Sequence, residues 1–174
     1  SSMISFAGAR GVPLPLRERN DFRPDLDELR TLVTDRTKLI ILNSPHNPTG
    51  GILDASAVRE IAAIARSRDL WVLSDEIYAE IIYEGEHRSP LAEPGMAERA
   101  ILLDGFSKTY AMTGWRLGYG VFPWPLVDPV THDSGRAKSA TSRTSSQSYS
   151  PTPGWYVRGC PPAARKRFLP AFLG

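Results

Sequence analysis

Three short apolar runs punctuate the chain, and none of them alternates with polar residues. They are Leu39-Ile40-Ile41-Leu42, Leu70-Trp71-Val72-Leu73 and Ala100-Ile101-Leu102-Leu103. Continuous apolar runs of this length are expected of strands covered on both faces. A helix is predicted between the first two, over residues 55–68. Val58, Ile61, Ala62 and Ala65 make its apolar face, and Arg66 and Arg68 suit its carboxyl end. An earlier helix is predicted from Asp25 to Thr34, with Pro24 at its start and Leu26, Leu29 and Val33 on one face. Near the beginning, Met3–Phe6 and Val12–Leu16 read as edge strands around Gly8 and Gly11. Residues 84–95 are polar, carry Gly85, Pro90, Pro94 and Gly95, and read as a loop. No internal repeat is visible.

Strand, helix, strand and a further strand predict an α/β fold with a mainly parallel sheet flanked by helices. Right-handed crossovers put the three carboxyl ends on one rim, the edge at which ligands bind in open α/β sheets. Each run leads into polar residues there. The first meets the shaped loop Asn43-Ser44-Pro45-His46-Asn47-Pro48-Thr49-Gly50-Gly51, the second Ser74-Asp75-Glu76-Ile77-Tyr78, and the third Ser107-Lys108. Arg116 follows eight residues after Lys108, among Gly114, Gly118 and Gly120. A lysine becomes an amine nucleophile when burial or a neighbouring cation favours its neutral form, and a strand end beside an arginine offers both. Asn47, Asp75, Tyr78, Lys108 and Arg116 are therefore expected to converge on one site.

The 174 residues suffice for one domain or for part of a larger one, and 41% hydrophobic with 23% charged content is globular. No apolar run is long enough to span a membrane and no signal peptide is seen. Cys160 is the single cysteine, which excludes a disulfide framework and a cysteine metal cluster. A cytoplasmic protein is expected. Charge divides the chain in two. Residues 131–174 hold seven basic residues against Asp133 alone, while the remainder is net acidic. Thr131–Pro153 is rich in Ser, Thr, Arg and Pro, a composition that predicts disorder. Pro161, Pro162 and Pro170 then break any long helix. Two units are predicted, 1–130 and 131–174.

Each rim residue also has an ordinary reading. A lysine is usually a solvated charge, an aspartate after a strand often caps a helix, and Asn-Pro forms turns. The combination is more specific. Ser44-Pro45-His46-Asn47-Pro48-Thr49-Gly50, Ser74-Asp75-Glu76-Ile77-Tyr78, and Ser107-Lys108 through Arg116-Leu117-Gly118-Tyr119 resemble, in order, the signature blocks of class I/II aminotransferases. These are pyridoxal-phosphate enzymes of fold type I, similar to aspartate and aromatic aminotransferases. The resemblance covers Ile4 to Pro129.

It implies a partial cofactor-binding large domain and a transaminase that moves an amino group between an amino acid and a 2-oxo acid. Lys108 would form the internal aldimine with pyridoxal phosphate and later move the proton. Asp75 would pair with the pyridinium nitrogen. Asn47 and Tyr78 would hydrogen-bond the phenolic oxygen, and Arg116, with Ser107, would hold the phosphate. Two departures accompany the match. Gly105 stands where some members carry a phosphate-binding serine. The family's upstream phosphate loop and its carboxylate-binding arginine have no counterpart here, so Arg136, Arg143 and Arg158 are not given that role. The chain is thus expected to be an inactive fragment of a homodimeric parent, with 131–174 disordered or frame-shifted. The alternatives are another fold-type I enzyme, such as a carbon–sulfur lyase, or a non-catalytic ligand-sensing domain. The tail shows no helix-turn-helix, so no nucleic-acid partner is expected, and without a spanning apolar run no membrane partner is expected either.

Overall fold

The computed structural model describes residues 2–130 and 168–171. Its elements are helices α1 (Ser2–Phe6), α2 (Leu26–Leu32) and α3 (Ala55–Ser67) and strands β1 (Leu39–Asn43), β2 (Trp71–Asp75), β3 (Ala100–Gly105), β4 (Gly118–Val121) and β5 (Phe168–Ala171). The strands form one sheet in sequence order. β1, β2 and β3 run parallel, with Asn43 opposite Asp75 and Asp75 opposite Leu103. β4 returns antiparallel to β3, and β5 antiparallel to β4. The parallel half therefore delivers three carboxyl ends to one rim, and the β3–β4 connection loops out from it.

Helix α3 forms because Asp54 caps it and its apolar positions recur at helical spacing. The Asp54 carboxylate accepts from the backbone N–H groups of Ser56 and Ala57 at 2.9 and 2.8 Å. The Ser56 hydroxyl and the Ala57 amide hold that carboxyl below its usual range. Its contribution is present at neutral pH and fades as acid protonates it. Asp54→Ala is expected to lower stability by about 1 kcal/mol, read as a shifted urea midpoint. Val58, Ile61, Ala62 and Ala65 are fully buried against the sheet, where Ile40, Val72 and Ala100 face them. Helix α2 starts at an Asp25 cap that accepts from Asp27 and Glu28. It stops at Val33, whose backbone is extended, so it is shorter than the pattern predicts.

Two expectations are corrected. Met3–Phe6 lies within a helical turn rather than an edge strand. Gly8 at φ 74° ends that turn, with its N–H on Ser5 O at 3.0 Å and the Ala9 N–H on Ile4 O at 3.1 Å. Val12–Leu16 has no regular structure, and Pro13 and Pro15 lack the N–H groups a ladder needs. The sheet is also not covered on both faces among the described residues. α3 packs on one side, and on the other Leu39 and Ile41 of edge strand β1 are 41% and 53% exposed. The loop read at 84–95 holds one short 3-10 turn, Pro90–Ala92, whose first N–H groups are capped by Ser89. The predicted tail, 131–174, lies outside the described residues except for β5. Among the described residues no helix is long and apolar enough to cross a membrane.

Candidate active site

Asp75 ends β2 at the centre of the rim, and its carboxylate is already aimed. Oδ2 accepts from Asn43 Nδ2 at 3.3 Å, and Oδ1 accepts from the Ile77 N–H at 3.3 Å. Asn43, last residue of β1, turns its own Oδ1 to the Asn47 N–H at 3.2 Å. One side chain thus ties Asp75 to the loop that follows β1. That loop is closed by short bonds within itself. The His46 N–H reaches Gly51 O at 2.8 Å, the Gly50 N–H reaches His46 O at 2.7 Å, and His46 Nδ1 meets Thr49 Oγ1 at 2.8 Å. Buried Ser44 holds its base by accepting from the Leu53 N–H at 3.0 Å. The peptides before Pro45 and Pro48 are cis.

After Asp75 the chain turns sharply. Glu76 points into the protein and is 4% exposed. Its Oε2 accepts from His87 Nε2 at 2.8 Å and its Oε1 from Ser89 Oγ at 2.7 Å. This clasp pins the loop through residue 89 to the end of β2, and Tyr78 emerges two residues beyond Glu76. Lys108 Nζ lies 5.2 Å from the centre of the Tyr78 ring. A cation over that ring contributes about 0.5–1 kcal/mol at an open site, so it orients the amine without fixing it. The connection from β3 to β4 does the fixing. The Phe106 N–H reaches Leu117 O at 3.2 Å, and the Tyr110 and Met112 N–H groups both reach Phe106 O at 3.3 Å. Arg116 sits in the left-handed region at φ 51°, an uncommon place for an arginine, and its Nη1 donates to Thr113 O at 3.3 Å.

Two adjoining clefts take up these residues. One, of about 430 Å³, is lined by Asn47 and Tyr78 with Ile52, Ile81 and Tyr83. The second, of about 300 Å³, is lined by Ser107, Lys108 and Arg116 with Asp104 and Thr113. Asp75 lines neither and reaches them through Asn43 and Ile77. The six expected residues share a rim, yet five of them are divided between two clefts rather than gathered in one, and Asp75 stands behind both. Four partners escaped the sequence reading. Asn43 could have been suspected as the polar end of an apolar run. Glu76 lies inside a motif already singled out. Tyr119 closes the third motif block, and Asp104 carries no signal until the β3–β4 register places the two opposite each other.

The sequence matches the family model for aminotransferase class I and II over residues 1–158. It is 47% identical over 125 residues to an arginine–pyruvate transaminase of Pseudomonas aeruginosa, which covers 72% of this chain and 32% of that protein. It is 48% identical over 128 residues to an aspartate aminotransferase of Pyrococcus abyssi, covering 73% and 33%. A double mutant of Thermus thermophilus aspartate aminotransferase superposes with a TM-score of 0.75 at 35% identity, over 79% of this chain and 35% of the other. The mostly parallel sheet with its helices matches the fold of aspartate aminotransferase structures. This chain belongs to the aminotransferase class I and II family. It spans about a third of the length of the curated relatives it matches.

Proposed function

We propose that this chain carries the cofactor-binding half of a pyridoxal-phosphate-dependent aminotransferase site. The whole protein would transfer an amino group between an amino acid and a 2-oxo acid. The observation that carries this reading is the pairing of Lys108 with Arg116 in one cleft, beside Tyr78 and next to the strand that ends in Asp75. The donor set fits the cofactor group by group: an amine for its aldehyde, a guanidinium and a hydroxyl for its phosphate, and a carboxylate for its ring nitrogen. When bound, pyridoxal phosphate supplies an electron sink next to the reacting carbon.

This chain's own residues would do the rest. Lys108 Nζ is the attachment point and the proton carrier. Arg116 and Ser107 Oγ hold the phosphate. The Asp75 carboxylate keeps a proton on the ring nitrogen, oriented for that task by Asn43 and the Ile77 N–H. Asn47 and the Tyr78 hydroxyl donate to the phenolic oxygen. Neither cleft is lined by an arginine other than Arg116. A clamp for the substrate carboxylate would then come from outside these residues, and the isolated chain would be inactive in turnover. The relatives' names span arginine, aspartate and aromatic substrates, so the reading extends to the reaction class and to no particular amino acid. A cytoplasmic homodimer is the setting it implies for the whole protein.

The test is direct. Purified chain is mixed with pyridoxal phosphate, reduced with borohydride and mapped by mass spectrometry. Reduced cofactor concentrated on Lys108 is expected. Label spread evenly over Lys38, Lys108, Lys138 and Lys166 would overturn the reading.

A further inference from the structure

The cleft that holds Lys108 and Arg116 has a carboxylate in its wall. Asp104, on β3, lines it, and both of that residue's oxygens are engaged. Oδ1 accepts from the Gly105 N–H at 2.6 Å, and Oδ2 accepts from the Tyr119 hydroxyl at 2.6 Å. Tyr119 lies opposite Asp104 on β4. The bond therefore crosses the two strands at the mouth of the loop that carries Lys108 and Arg116. Burial, and then the bond to Asp104, push the Tyr119 phenol well above its usual range, so the proton stays on Tyr119. The Tyr119 ring also lies 5.9 Å from that of Phe106, whose backbone carbonyl receives two of the loop's N–H groups.

We propose that Asp104 and Tyr119 are positioning residues of this anion-binding cleft: their cross-strand hydrogen bond sets the spacing between Lys108 and Arg116. The proposal rests on the cofactor-binding reading above and adds to it the device that sets the phosphate end. A carboxylate facing an anion site weakens that site by repulsion unless its charge is committed elsewhere. Here both oxygens are turned to donors on the strands, so the residue braces the loop while its charge is partly neutralised.

The experiment compares the affinities of the full chain for pyridoxal phosphate and for pyridoxal, which lacks the phosphate. Their ratio reads the phosphate end alone, because a general loss of folded protein changes both affinities equally and cancels. Tyr119→Phe keeps the ring and removes the hydroxyl. The loss of one such bond is expected to lower the ratio by roughly 5- to 10-fold. Asp104→Ala is expected to do the same. Asp104→Asn should keep or exceed the wild-type ratio. Its amide oxygen takes the Gly105 N–H, the Tyr119 hydroxyl turns to accept from the amide nitrogen, and a negative charge leaves the wall. An unchanged ratio in Tyr119→Phe, or an Asp104→Asn variant as weak as Asp104→Ala, overturns the proposal.

A wild-type ratio near one would instead sink the cofactor reading. The brace is then judged by hydrogen exchange at the Phe106 amide, which bonds to Leu117 across the same strands. Exchange about tenfold faster in Tyr119→Phe supports it, and unchanged protection overturns it.

Discussion

Lys108→Ala is expected to abolish covalent capture of pyridoxal phosphate altogether, while reversible binding of the cofactor survives at reduced affinity. The asymmetry follows from the layout of the rim. Among the described residues Lys108 supplies the one primary amine that lines the second cleft, whereas Arg116, Ser107 and Asp75 belong to other positions and remain in the variant. Lys108→Arg should behave alike, since a guanidinium keeps the charge and cannot serve as the amine nucleophile. The informative control is Lys38→Ala. Lys38 precedes the first residue of β1, at the amino end of the sheet. Five strand residues at about 3.3 Å each separate it from the rim, too far for its amine to replace Lys108. Borohydride trapping followed by peptide mapping should show full label in Lys38→Ala and none at position 108 in the two Lys108 variants. Retention of most of the label in Lys108→Ala would mean that the cofactor meets surface lysines at random and that the cleft does not select it.

The parallel half of the fold was legible because buried parallel strands are written as continuous apolar runs, and nothing else in this chain looks like that. Their carboxyl ends were less so. β1 and β3 continue one and two residues past the apolar stretch, through Asn43 and through Asp104 and Gly105, and β2 runs on through Ser74 and Asp75. Polar residues were read as loop although ladder bonds hold them in the sheet. β4 was invisible for a related reason. Gly118 and Gly120 give no β signal, and the strand exists because it pairs with β3. Gly120 also leaves room for the buried Phe122 ring, whose atoms lie 2.4 Å from where a β-carbon would stand.

At the site, motifs located the residues that would touch a ligand but not those that aim them. Asn43 and Tyr119 act through pairings set by register, which linear spacing does not encode. The ordinary reading of Asp75 also survives in part. Its Oδ1 does accept from a backbone N–H two residues ahead, as a capping aspartate would, while Oδ2 is held by Asn43. Local capping and a functional placement are here two uses of one carboxylate.

Glu76 sets the second large expectation. Its carboxylate is buried and is the shared acceptor of His87 and Ser89. Glu76→Ala removes that acceptor and leaves a mostly buried imidazole N–H and a hydroxyl without their partner. Each orphaned group costs about 1–3 kcal/mol, so the two together are expected to cost about 2–6 kcal/mol, a large share of a small domain's stability. Glu76→Gln should cost less. Its amide oxygen still accepts from one partner, and the other can turn to accept from the amide nitrogen, because a hydroxyl and a neutral imidazole both offer that choice. Urea denaturation of the three proteins gives the ranking. The clasp also predicts where the damage spreads. Ser89 caps the turn Pro90–Ala92, and the loop tip carrying Ile81 and Tyr83 forms a wall of the larger cleft. Hydrogen exchange in Glu76→Ala should rise over residues 79–92 before it rises in α3, whose buried face packs on the sheet without help from that loop's tip. Uniform exchange through the chain would mean instead that Glu76 supports the core as a whole and that the loop has no separate anchor.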